Sequence, residues 1–214
     1  MIADARAVAA RWPDVRRRML AEVASLVTET PWALSPGHHA RAREAGLSND
    51  ELLHAIALAA FFGHLNRIAD AVAVPLDYEV RHRPPHAQPA TPPLLRAPAP
   101  RRGVPALAIE SRPATAAALA AWRDYLVARS PASRQIAAWV AALLGDGEGE
   151  PAEDSPLGRL IEQVTLAPWQ LGDGSFAPLR ALGYDDAALF DACAAASSFG
   201  VFSRLRVALV ALAG

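Results

Sequence analysis

The chain has 214 residues, is 52% hydrophobic and 20% charged, and carries a net charge of −1. That length holds one large or two small domains with a sizeable core, and the near-neutral charge removes the electrostatic ground for a nucleic-acid partner. No stretch reads as both long and apolar enough to span a bilayer, and the charged start lacks the apolar centre of a signal peptide, so no membrane partner and a cytoplasmic location are expected.

Runs rich in Ala, Leu and Arg at helical spacing dominate, without an alternating strand pattern, which predicts an all-α fold. Residues 3–27 read as a helix interrupted at Pro13. A short helix follows, with Ser35 as N-cap, Pro36 at its first position and Gly46 past its end. The sequence SNDE, residues 48–51, is a capping box that opens a long helix to about Val72. Over 55–65 that helix is apolar nearly all round, which predicts a place inside the core. Nine of the 18 prolines then fall in 81–113, where six Arg stand against one Glu. Regular helix is excluded there, and an extended linker or wrapped arm is predicted, with the acidic run 145–154 as an intramolecular partner. No aromatic residue interleaves those arginines, so the basic run is not read as a nucleic-acid site. Helices resume over 114–128, 132–144, 157–166 and 185–212.

Sliding the chain over itself by 137 residues aligns 31–67 with 168–204, giving 14 identities in 37 gapless positions. Ala pairs arise cheaply in an Ala-rich chain. The matches Trp32/Trp169, Gly37/Gly174, Gly46/Gly183, Phe62/Phe199, Gly63/Gly200 and Arg67/Arg204 do not. They predict a two-lobe helical bundle built by internal duplication, packed on its long apolar helices. Residues 1–80 form the first repeat, 81–113 the arm and 114–214 a second, degenerate repeat. The copies differ in chemistry: His38, His39, His54 and His64 correspond to Ser175, Phe176, Asp191 and Val201, and Asn66 and Asp70 to Ser203 and Val207. A chemical site is therefore expected in the first copy.

In the first turn of the short helix the dipole disfavours imidazolium and leaves His38 and His39 neutral, as a base or ligand or as capping and packing groups. Ser35 is either a hydroxyl activated by His39 or an N-cap, and the cap reading is preferred. His54 and His64 are ten residues apart, and Pro84 and Pro85 separate His82 from His86, so no helix offers metal spacing. No metal or cofactor is expected unless His39, His54 and His64 converge from different helices. Arg67 can pair with Asp70 at i, i+3, beside Asn66. Its persistence as Arg204 favours a structural role, such as holding carbonyls, over a bidentate clamp on a carboxylate ligand. Trp32 and its match Trp169 are read as core or rim packing, with a stacking platform as the alternative. The one cysteine, Cys193, excludes an intrachain disulfide, and the absence of Lys excludes Schiff-base chemistry.

The turn AGLSNDEL, residues 45–52, and the stretch FFGHLNRIADAVAVPLDYE, residues 61–79, resemble the carboxymuconolactone decarboxylase and alkylhydroperoxidase D-like superfamily, in its peroxidase-related branch. The resemblance covers residues 15–80 and, weakly, the second copy. It implies an alkylhydroperoxidase D-like fold and a homo-oligomer. In that family the short helix begins at a Cys-x-x-Cys-x-x-x-His motif. Here Trp32 and Ser35 hold the cysteine positions and only His39 is kept, while the register of the family's acidic relay residue falls on Leu20, with Glu22 the nearest acid. Thiol peroxidase chemistry needs two sulfurs in contact, which Cys193, aligned with Ile56, does not supply. Two readings follow. A degenerate, non-catalytic binding or assembly protein ranks level with or slightly above a non-redox enzyme. In the latter His39 or His38 would be the acid/base and Arg67 the clamp on a small carboxylate or lactone. What separates them is whether His39 faces a closed cavity with a second titratable group in reach.

Overall fold

The computed structural model describes residues 9–73, 95–103, 105, 107–147 and 149–213, which form eight α-helices and no strand. Each helix starts where the sequence supplies a start signal. Asp14 opens α1 (Val15–Glu29) by accepting from the amides of Arg16 and Arg17 at 2.9 and 3.3 Å. A 3₁₀ turn, Pro31–Ala33, leads to α2 (Pro36–Glu44), which has Pro at its first position. The Ser48/Glu51 box opens α3 (Asn49–Ala71): Ser48 N donates to Glu51 Oε2 at 2.8 Å, and Glu51 N to Ser48 Oγ at 3.2 Å. After the arm come α4 (Pro113–Arg129) and α5 (Pro131–Leu144), then α6 (Pro156–Leu166). A 3₁₀ turn Pro168–Gln170, α7 (Asp173–Ala181) and α8 (Asp186–Ala211), capped by Asp185, complete the chain.

The 137-residue offset recurs in these bounds. The 3₁₀ turns begin at Pro31 and Pro168, α2 and α7 span Pro36–Glu44 and Asp173–Ala181, and α3 and α8 begin at Asn49 and Asp186. Gly46 and Gly183 close the short helices at φ 80° and 90°, where a side chain would be strained.

The long helices α3 and α8 pack on each other at the centre. One apolar cluster joins α1, α2 and α3 to the C-terminal part of α8 through Val23, Leu52, Ile56, Leu205 and Leu209. A second joins α5 and α6 to the N-terminal part of α8 through Trp139, Ile161, Leu189 and Phe199, and Trp32 belongs to it. Cys193 lies buried in that second cluster.

Three expectations are corrected here. First, α3 is not enclosed over 55–65. Leu52, Leu53, Ile56, Ala60 and Gly63 face inward, but Leu58, Phe61, Phe62 and Leu65 lie 42–56% exposed, and α4 meets that side only along an edge, where Trp122 contacts the Phe61 ring. Second, Trp169 is 54% exposed whereas its counterpart Trp32 is buried, so only one of the matched indoles is core. Third, two helices do reach bilayer-crossing length and hydropathy: α3, which is mostly unburied, and α8, which is mostly buried as a core helix.

The arm's described end docks on the fold. Arg101 N donates to Gly145 O at 2.9 Å and forms an isolated bridge with Asp146, and Arg96 pairs with Glu162. The contact with the start of the acidic run is thus made by backbone, while the Asp146 carboxylate accepts from Arg206 at 2.8 Å. Residues 81–94 lie outside the described residues.

Candidate functional site

Arg67 and Arg204 are both buried, one from each long helix, and their bonds form a crossed pair. Arg67 donates through Nε to Thr165 O (3.3 Å), through NH2 to Thr28 O (3.4 Å) and through NH1 to Gly63 O (2.7 Å). Arg204 donates through Nε to Thr28 O (3.2 Å), through NH2 to Thr165 O (2.7 Å) and through NH1 to Gly200 O (3.4 Å). Thr28 and Thr165 end α1 and α6, where carbonyls have no helical donor and the dipole is negative. Two helix C-termini are therefore capped by two guanidiniums, each reaching across to the other half. Gly63 and Gly200 make room: a Cβ there would lie 2.8 and 2.7 Å from the NH1 atoms of Arg67 and Arg204. Burial lowers the Arg67 pKa to about 10, against a raising influence from Asp70, and the group stays charged at neutral pH. Burial, and then the nearby Arg67, also lower the Arg204 pKa.

Arg67 thus holds carbonyls, the structural role that its persistence in both copies favours. It makes no contact ion pair with Asp70, which is exposed and raised in pKa chiefly by partial desolvation. The matched Thr28/Thr165 pair is the missed half of this arrangement. It lies at the same 137-residue offset, three positions upstream of the alignment that begins at Pro31.

Around α2 the histidines separate. Ser35 occupies the N-cap position, yet its hydroxyl makes no capping bond; Oγ lies 2.8 Å from His38 Nδ1 instead. His38 Nε2 is 3.5 Å from Glu22 Oε1, and Glu22 takes the Arg41 guanidinium at 2.6 Å. Desolvation, and then Arg41, lower the His38 pKa, while Glu22 opposes them. The hydroxyl–imidazole–carboxylate chain is therefore Ser35–His38–Glu22 and does not include His39. Nothing in the local sequence announces it, because Glu22 comes from α1. A shallow depression of about 290 Å³ beside it is lined by Glu22, Arg41 and Glu44.

His39 bonds Asn49 Oδ1 at 3.0 Å on an exposed surface and lines neither this depression nor the larger cavity described next. His54 and Asn66 are exposed on α3. Among the described residues no three His, Cys, Asp or Glu side chains stand close enough to hold a metal ion.

The larger cavity, about 580 Å³, lies between α3, α4, α5 and α8. Of the first-copy histidines only His64 lines it. His64 Nδ1 is 2.7 Å from Ser197 Oγ, and Ser197 Oγ is 3.0 Å from the His64 carbonyl, so the contact joins the two long helices. Trp122 of α4 stacks edge-on against the ring at 5.4 Å. Burial, then Arg67, lower the His64 pKa, while Ser197 opposes them. The lining cation Arg129 is paired with Asp191 at 2.8 Å and donates to Tyr125 Oη at 3.1 Å.

No family model matches the chain, and no curated protein or solved structure matches it either.

Proposed function

We propose that this chain is an alkylhydroperoxidase D-like protein, a two-lobe bundle of duplicated origin, that has lost the redox cysteine pair and serves as a non-catalytic assembly protein. The observation that carries this reading is the outer face of α3. Leu58, Phe61, Leu65 and Val72 follow heptad-like spacing, Phe62 lies beside them, and all are 42–56% exposed. Together they present on the order of 400 Å² of apolar side-chain surface, the size of a functional patch on a monomer. A second copy is the occupant that fits. Two such faces joined isologously would bury roughly 800 Å² at their centre, and a stable interface of about 1,200 Å² or more needs only a polar rim beyond that. His54, Asn66 and Asp70, exposed on the same helix, would supply that rim. The duplicated origin draws support from the shared offset in helix bounds and from the crossed Arg67/Arg204 caps. Among the described residues His39 bonds only Asn49, a neutral amide, which argues against acid/base work by that residue.

Light scattering behind size exclusion tests this reading. The expected result is a discrete dimer or closed oligomer at tens of micromolar, converted to monomer by Phe62→Glu with helicity retained. A monomeric wild type would overturn the proposal, and binding to lipid vesicles in place of self-association would reassign the face to a membrane.

One observation favours the second reading, a non-redox enzyme acting on a small carboxylate or lactone. It is the Ser35–His38–Glu22 chain, which would make His38 the acid/base. Arg67 would not be its clamp, since its donors go to Gly63, Thr28 and Thr165.

A further inference from the structure

The 580 Å³ cavity is separate from the α2 histidines and shares Leu65 with the outer face of α3, and its chemistry follows from one hydrogen-bond count. Ser197 has a single hydroxyl proton, and Oγ touches both the His64 carbonyl (3.0 Å) and His64 Nδ1 (2.7 Å). A carbonyl only accepts, so the hydroxyl donates to it and Nδ1–H must donate to Oγ. With burial holding the ring neutral, that fixes the tautomer and leaves Nε2 as a bare acceptor. No hydrogen bond to Nε2 forms among the described residues. The walls around it are aromatic: Trp122, Tyr125, Tyr184 and Phe190. The lining cation, Arg129, is bound to Asp191, so the cavity offers an anionic ligand no free guanidinium.

We infer that this cavity binds a neutral aromatic alcohol of the phenol class, its ring against Trp122 and its hydroxyl donating to His64 Nε2. The volume lies within the range of small-molecule sites, and mostly apolar walls with a few placed polar groups, here His64 with the Ser133 and Ser198 hydroxyls among them, are the usual recipe. An acceptor matched to the ligand's O–H discriminates against analogues that lack the donor, because the acceptor is then covered and left unpaired. Ser197 is a positioning residue here, since it acts only by fixing which ring nitrogen carries the proton.

Titration calorimetry of the full chain with 2-naphthol, 2-methoxynaphthalene and naphthalene tests the inference. The expected result is that 2-naphthol binds roughly tenfold tighter than the other two, which fill the same volume without the O–H. His64→Phe keeps the ring volume and should bring the three affinities together. If that variant fails to fold, Ser197→Ala is the second measurement: it frees the tautomer and should narrow the gap to roughly threefold or less. No saturable binding of any probe, equal affinity for naphthol and ether in the wild type, or a gap unchanged in the folded variant would each overturn it.

Discussion

Helices α3 and α8 begin at corresponding residues, carry the same Phe-Gly-x-x-x-Arg sequence and cap the same two carbonyls, yet they live in different surroundings. On α8 the positions matching Leu58, Phe61, Phe62, Leu65 and Val72 are Ala195, Ser198, Phe199, Phe202 and Leu209. All are buried except half-buried Phe202, beneath α5, α6 and the long helix itself. On α3 the same face is open. The lesson is that two helices of matching sequence keep the same inward bonds, while the outer face of each takes on whatever the rest of the chain supplies or withholds.

The sharpest way to break that comparison is to put the same charge on both faces. Phe199→Glu buries a carboxylate where the ring is 3% exposed and should cost about 4 kcal/mol or more. Phe62→Glu, where the ring is 56% exposed, should change monomer stability by only about 0.5 kcal/mol. Chemical denaturation of the two variants decides it, and equal losses would mean that α3 is as enclosed as α8.

What the helices share is tested by the arginines. Arg67→Met and Arg204→Met should each cost only about 1–2 kcal/mol, because the remaining guanidinium still reaches both Thr28 O and Thr165 O and loses a like-charged neighbour. The double variant leaves both carbonyls without a donor and should exceed the sum of the singles by about 1 kcal/mol or more. Strict additivity would show that the two caps work independently.

The smallest effect is in pH. His38 and His64 are both lowered from their ordinary value near 6.5, His38 with Glu22 and Arg41 beside it and His64 with Arg67 beyond it. The unfolded chain therefore takes up protons that the folded one refuses. Stability is full above pH 6.5, falls as pH drops through the unfolded value, and levels off below the folded ones. Melting temperatures between pH 7.5 and 5.5 should decline, and His64→Phe should flatten the decline; a flat wild-type profile would contradict both shifts.

Much of this fold is legible in the chain because its signals are local. Ser48 with Glu51, Asp185 before α8, Pro36 and Pro156 at first turns, and Gly46 and Gly183 at the ends each act within one turn of the helix they bound. The recurrence of Arg67 as Arg204 points to a structural role, and both guanidiniums hold backbone carbonyls. What escapes the sequence is what depends on neighbours. A helix apolar all round reads the same whether or not another helix covers it, so the open face of α3 is invisible. Ser35 satisfies every N-cap rule, and only the approach of Glu22 on α1 accompanies its turn to His38. The cavity is assembled from several helices, and Trp122, which stacks on His64, lies 58 positions away in a stretch that reads only as Ala-rich helix.

The crossed caps also bear on how the chain reaches this structure. Helical bundles fold quickly because their contacts are close in sequence. Here Arg67 finds Thr165 across 98 residues and Arg204 finds Thr28 across 176. Each arginine also reaches the helix end on its own side, Arg67 at Thr28 and Arg204 at Thr165. It is the full set of bonds at α1 and α6 that forms only after both halves are made and have met. Loop closure over such spans makes that meeting slow relative to helix growth. A nascent chain released before α8 emerges would have only Arg67 to hold both Thr28 O and Thr165 O, so each helix end would lack its second guanidinium donor.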